Sequence, residues 1–177
     1  MKTNFKLSDR YINQVITLTF EYADESINYS GYLIDFNDDW VLLKHNVVGY
    51  VVDGCVLLKT KHIQSFTRGK AERFKQKIFD LKKVAPKRTD KIPLVDLQTI
   101  LTHLSDKLGI FSFYMRTSTA CWLGRVKKIS GANLIIDYLT PGATWAKMRP
   151  FQLGNIRMVE FNSDYINSLK LIAKKKW

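Results

Sequence analysis

The sequence predicts a mostly β protein with flanking helices, built as two tandem barrels of five strands each. Three observations point there. Short runs rich in β-branched and aromatic residues follow one another closely, separated by turn residues. Residues 70–84, 93–108 and 163–175 instead carry apolar side chains at helical spacing. The chain also overlays on itself at one gapless offset of 93 residues.

In the first half, residues 6–14 (KLSDRYINQ) are expected to hold a short helix, with Ser8 as its N-cap. Strands are expected over 15–22, 29–36, 40–46 continuing to 52, 55–60 and 62–66. Asn37-Asp38-Asp39 is the turn of one hairpin, and Asp53-Gly54 is the turn signal of the next. The composition then shifts. Residues 68–91 hold ten basic and three acidic side chains, the most basic stretch of the chain. Phe74, Ile78 and Leu81 mark the apolar stripe of an amphipathic helix over 70–84, which Pro86 ends. The expected division is a first barrel with its basic helix over 1–85, a linker over 86–92, and a second barrel with helices on both sides over 93–177.

The second half opens with a helix over 93–108. Its stripe is Leu94, Leu97, Ile100, Leu101, Leu104 and Leu108, and Gly109 is its stop. Strands are expected over 111–116, 121–129, 134–139, 144–151 and 156–161. A last helix over 163–175 lines one face with Ile166, Leu169 and Ile172. At the common offset Gly31 falls on Gly124, Leu33 on Val126, Phe36 on Ile129, Ile63 on Ile156, Phe66 on Val159 and Ile78 on Leu171. Val41-Leu42-Leu43 falls on Leu134-Ile135-Ile136. Only the first turn differs in length. The pattern predicts an internal duplication.

The run Tyr29-Ser30-Gly31-Tyr32-Leu33-Ile34-Asp35-Phe36-Asn37-Asp38-Asp39-Trp40-Val41-Leu42-Leu43, followed later by Val56-Leu57-Leu58-Lys59-Thr60-Lys61-His62-Ile63, resembles the two motifs of an Sm-like (LSm) domain. The likeness covers residues 6–67, with a weaker echo over 95–161. Thr60 stands where the family has glycine, and the second half lacks the acidic turn. The more general resemblance is to the SH3-like small barrel. The Sm-like resemblance implies single-stranded RNA binding, with the two turns converging on one rim. It places Asn37 and Asp39 at a base edge, Trp40 as the stacking ring, and Lys59, Lys61 and His62 at phosphate or the rim. It also implies edge-to-edge strand pairing, and so a homo-oligomer, with three chains closing a six-membered pseudo-ring.

Charge favours the same partner. The net charge is +12, which suggests a polyanion. Arg68, Lys70, Arg73 and Lys77 of the basic segment, together with the Lys174-Lys175-Lys176 tail, are the expected phosphate-binding surface. Other readings stand beside this. Asn-Asp-Asp makes a good hairpin turn with no ligand, Trp40 suits a core as well as a platform, and His62 suits a purely structural place. A protein-interaction or scaffolding module on the same barrels is the second functional class. A third reading is the basic helices resting on an anionic membrane.

The chain shows no Gly-rich phosphate loop, no HExxH, no GxSxG and no Cys/His dyad. Asp38 and Asp39 are adjacent, so strand alternation points them apart, which suits acid–base chemistry poorly. The expectation is a non-enzyme with no cofactor and no metal. Cys55 and Cys121 lack metal spacing and are expected to be buried reduced thiols. With no apolar leader at the start and no run of spanning length, a cytoplasmic protein without integral membrane association is expected.

Overall fold

The β-branched and aromatic runs of the first half form five antiparallel strands in a computed structural model, which describes residues 6–147 and 150–173. They are β1 (Val15–Glu21), β2 (Ser26–Phe36), β3 (Trp40–Val48), β4 (Val51–Lys59) and β5 (Ile63–Thr67). The second half contributes β6 (Phe111–Tyr114), β7 (Cys121–Ser130), β8 (Asn133–Leu139), β9 (Trp145–Lys147), β10 (Phe151–Gln152) and β11 (Met158–Phe161). Three α-helices accompany them: α1 (Lys70–Leu81), α2 (Leu97–Leu108) and α3 (Asp164–Ala173). The protein is mostly β, and its chain divides into two compact units, Met1–Lys91 and Ile92–Trp177.

Within the first unit the strand order is β4-β3-β2-β1-β5. β1 pairs with β2 on one side and β5 on the other, and a 3-10 turn at Thr60–His62 carries β4 into β5. Tyr29 to Ile34 of β2, Trp40 to Leu43 of β3 and Cys55 to Leu58 of β4 are buried without alternation. Continuous burial means that both faces of these strands are covered. The β2–β3 register slips between Leu33 and Asp35, a bulge that sharpens the bend. At Gly31 the two backbones lie so close that a Cβ would overlap the Lys44 carbonyl oxygen.

The second unit repeats this ladder. Its order is β10-β8-β7-β6-β11, with β9 also on β8, and a 3-10 turn at Leu153–Asn155 joins β10 to β11. Gly31 pairs with His45, and Gly124 pairs with Tyr138. The slip recurs between Val126 and Lys128. A Cβ on Gly124 would overlap the Asp137 carbonyl oxygen, and Asp137 is Lys44 displaced by the same 93 positions. Phe66 pairs with Leu18, and Val159 pairs with Phe113. The first strand is displaced by two further residues, the difference in length of the first turn.

Several expected elements differ. Residues 6–14 form only a 3-10 turn at Asp9–Tyr11, and Ser8 makes no side-chain cap. Asp53-Gly54 lies inside β4 rather than at a turn. The β3–β4 chain reverses at Gly49 and Tyr50, where the Asn46 amide donates to the carbonyls of Val48, Gly49 and Val51. Gly54 (φ +64°) sits opposite a register slip, so its freedom serves a bulge. Within the span expected as a linker, Arg88–Asp90 is a 3-10 turn, and Asp90 pairs with Lys44 at 3.0 Å. The strand expected over 144–151 is two short pieces, β9 and β10, with 148–149 outside the described residues. The tail 174–177 also lies outside them. Cys55 is buried, and burial pushes its thiol up to about 12; Cys121 is exposed, against expectation.

The largest correction concerns α1. Phe74 and Leu81 of its expected buried stripe are 57% and 84% exposed. The buried residues are Glu72 and Phe79, the latter packed on Val15 and Tyr32. Polar bonds complete the seat. The Gln76 side-chain oxygen accepts from Val15 N (3.1 Å), Glu72 accepts from the Thr17 hydroxyl (2.9 Å), and Asp80 accepts from the Tyr32 hydroxyl (2.6 Å). Burial pushes the Glu72 carboxyl up, but bonds from the backbone N–H groups of Gly69 and Glu72 and from Thr17 outweigh it and hold the group below the usual range. In α3, Ile166 and Leu169 are buried as expected, while Ile172 is exposed. The buried faces of α1 and α3 therefore correspond one residue further along than the strands. Glu72 matches Ile166, and Phe79 matches Ala173, so Ile78 and Leu171 are not the equivalent core pair.

Alanine at Gly31 or Gly124 forces the two strands apart. Each substitution is expected to destabilise by about 1–3 kcal/mol, measured by urea denaturation. His45 gives a second expectation. Burial lowers its imidazole to about 4, which Asp53 only partly offsets, and its Nδ1 is buried without a hydrogen bond. The unfolded chain therefore binds the proton first. Stability should fall as pH drops from about 6.5 towards 4 and then level off, a contribution on the order of 2 kcal/mol for this half-buried ring. Melting curves of His45→Phe beside the parent across that window should show a flatter profile.

Candidate nucleic-acid interface

The acidic turn is held by its own first residue. Asn37 Oδ1 accepts the backbone N–H of Asp39 (2.9 Å) and of Trp40 (2.8 Å), and Asn37 N donates to Trp40 O (2.9 Å). Asparagine does this because its short side chain mimics a backbone turn. The oxygen expected at a base edge is thus spent inside the hairpin. Thr60 N donates to Asp39 O at 2.8 Å, so the acidic turn and the 3-10 turn meet. Asn37, Asp39, Trp40, Lys59 and Lys61 stand at this rim, and His62 ends the same 3-10 turn.

The rim lacks a stacking platform. Trp40 is only 3% exposed, and the Lys59 ammonium lies 5.6 Å from its ring centre. The aromatic side chain expected to face a base is core, covered by a cation. Trp40 and Lys59 are directly opposite on β3 and β4, which explains the contact. Burial lowers the Lys59 ammonium, Lys61 lowers it further, and Asp39 works against both. His62 sits edge-on to Phe20 at 5.9 Å. Exposed Asp38 and Asp39 stand near exposed Lys61, so the rim carries both signs of charge. At the equivalent place in the second unit, Gln152 donates to Asn133 at 2.6 Å, two carboxamides where the first unit has Lys59 and Trp40.

The basic segment divides in two. Arg68 is structural: its Nε donates to the Gln14 side-chain oxygen and its Nη1 to the Val15 carbonyl, both at 2.8 Å. Lys70, Arg73 and Lys77 are exposed on the outer face of α1, and no ion pair among the described residues engages them. Their spacing of three and four residues stacks them along one side of the helix, about 5–6 Å apart. This row is outward because Glu72, Gln76 and Phe79 turn the opposite side onto β1 and β2.

Two aromatic side chains flank the row, and sequence reasoning missed both. Phe74 shares the outer face, and its ring meets Tyr50, 44% exposed, edge-to-face at 6.3 Å. The Lys82 ammonium donates to the Tyr50 carbonyl at 2.6 Å, tying the β3–β4 tip to the helix end. Phe74 was assigned to the core because its spacing with Ile78 and Leu81 is helical. The signal that could have found it is the polar series Glu72 and Gln76 in line with Phe79, which competes for the buried side. Of the other tryptophans, Trp122 is half-buried against Tyr138 and Phe151, Trp145 is 37% exposed, and Trp177 lies outside the described residues.

No family model matches the sequence, and no curated protein matches it. Among the described residues, no helix is long and apolar enough to cross a membrane.

Trp40→Ala removes a buried ring, so it is expected to cost about 3–5 kcal/mol of stability in chemical denaturation. Trp40→Phe should leave affinity for single-stranded RNA within about twofold in an anisotropy titration.

Proposed function

We propose that this chain is a non-enzymatic RNA-binding protein acting in the cytoplasm, made of two tandem Sm-like/SH3-like barrels that arose by duplication. Support for the barrels comes from β1 pairing on both sides, the register slips at matching places, and the two glycine contacts. Support for a single-stranded RNA ligand rests above all on the outer face of α1. Lys70, Arg73 and Lys77 form a cationic row there, and Phe74 and Tyr50 stand beside it. Cations neutralise phosphates and release counterions, while rings stack bases of any identity. On this reading the ligand runs along α1, and the Asn37–Trp40 turn serves the fold. Arg68 shapes the surface without touching RNA.

One observation favours the protein-interaction reading. Val47, Val48 and Val51 at the β3–β4 tip are exposed, and β-branched aliphatic side chains do not stack bases. On that reading the tip meets an apolar partner.

Anisotropy titration of the full chain with a short single-stranded RNA over a salt series separates the two. Lys70→Gln/Arg73→Gln/Lys77→Gln is expected to reduce the slope of log affinity against log salt by about 2, since each single-strand phosphate contact contributes roughly 0.7. Phe74→Ala should weaken binding by about 1–3 kcal/mol. Absence of binding at low salt, or a slope unchanged in the triple variant, would sink the RNA reading and leave the apolar tip as the surface to pursue.

A further inference from the structure

The two helix seats are equivalent in place but differ in content. In the first unit, Phe79 plugs the seam between α1 and the sheet, packed on Val15 and Tyr32, with Val52 and Val84 against them. In the second unit Ala173 occupies the place of Phe79, Arg125 that of Tyr32, Ile110 that of Val15 and Trp145 that of Val52. The ladders fix the strand matches: Asn46 pairs with Val52 as Leu139 pairs with Trp145, and Gly31 pairs with Ile16 as Gly124 pairs with Phe111. Ala173 matches Phe79 because buried Ile166 and Glu72 set the helix offset. Among the described residues no ring takes the place of Phe79 in the second seam. A cavity of about 280 Å³ lies there, lined by Gly109, Ile110, Arg125, Trp145, Lys170 and Ala173.

Its walls have a definite chemistry. The floor is apolar, from Ile110 and Ala173. The Arg125 guanidinium lies 4.7 Å from the Trp145 ring centre, and its Nε is held by Asp137 at 3.2 Å. Lys127 shares Asp137 at 3.7 Å, so this cluster keeps a net positive charge. Across the cavity the Lys170 ammonium donates to the Leu108 carbonyl at the end of α2. An apolar recess between two cations, with an indole at its side, suits a ring that carries an anionic group.

We propose that this open seam binds one nucleotide, its base in the space that Phe79 fills in the first unit and its phosphate between Arg125 and Lys170. The choice of nucleotide over another aromatic anion rests on the RNA reading above. The nucleotide is either free or one unit of a single strand, and the recognition chemistry is the same for both.

Calorimetric titration of the full chain with adenosine monophosphate and with a short single-stranded oligoribonucleotide tests this. Two variants accompany the parent: Ala173→Phe, which refills the seam as in the first unit, and Arg125→Gln. Far-UV circular dichroism checks that each is folded. If the free nucleotide binds, both variants should weaken it at least about tenfold. If only the oligoribonucleotide binds, a similar loss in both variants assigns the seam to one unit of the strand. Nucleotide binding without RNA binding would keep the seam and remove the RNA reading. RNA binding that depends on Lys70, Arg73 and Lys77 but is unchanged in both seam variants, with no binding of the free nucleotide, would overturn the seam and leave the RNA reading standing.

Discussion

In each unit two backbones meet closely where a glycine stands on the second strand. At Gly31 and again at Gly124, the second strand passes so near the third that only a hydrogen fits where a Cβ would stand. Much else follows from this crowding. It draws the neighbouring strand in, and the adjacent register slip, between Leu33 and Asp35 or between Val126 and Lys128, increases the local twist. The first strand pairs with the second on one side and with the fifth on the other in both units.

The two units diverge in how the following helix is seated. The first seats its helix with a ring and a set of charged and polar bonds, Glu72 to Thr17, Gln76 to Val15, and Asp80 to Tyr32. Each bond satisfies a group that would be costly to bury unpaired. The second seats its helix with aliphatic contacts of Ile166 and Leu169 on Ile110, Leu123 and Leu139. A polar clamp fixes the rotation of α1 closely, and that rotation turns Lys70, Arg73, Phe74 and Lys77 outward. An aliphatic seat with alanine at its end leaves room instead. Similar ladders thus carry an outward cationic face in the first unit and a recess in the second.

The turn that most resembles a known binding motif is spent on the fold. Its asparagine caps the hairpin, its tryptophan fills the core, and the lysine opposite lies over that ring. Side chains that make such internal bonds hold the strands in register but present little to a ligand. The surface that remains for a polyanion is carried by the outer side of α1, where Lys70, Arg73 and Lys77 enter no ion pair among the described residues.

The sequence by itself determined that the protein is mostly β, where most of its strands run, and that helices follow and precede them. β-branched runs and a gapless offset are local signals that survive any tertiary arrangement. Gly109, with φ +89°, ends α2 as expected, but the helix begins at Leu97 rather than at 93, because Asp96 takes the N-cap and accepts from Thr99 N at 2.7 Å. Only the tertiary structure decided which side of α1 is buried. Phe74, Ile78 and Leu81 make as regular a stripe as any, yet Glu72, Gln76 and Phe79 lie inward. The stripe lost because a buried carboxylate and carboxamide find donors on β1 that no periodicity reveals, while one phenyl ring fills the seam. The structure likewise decided that Asp53-Gly54 is a bulge and Gly49-Tyr50 the turn, since Asn46 reaches three carbonyls at once. Apolar spacing says that a face will be covered. Which face it is depends on the hydrogen-bond partners that the neighbouring strands present, and those exist only once the sheet has folded.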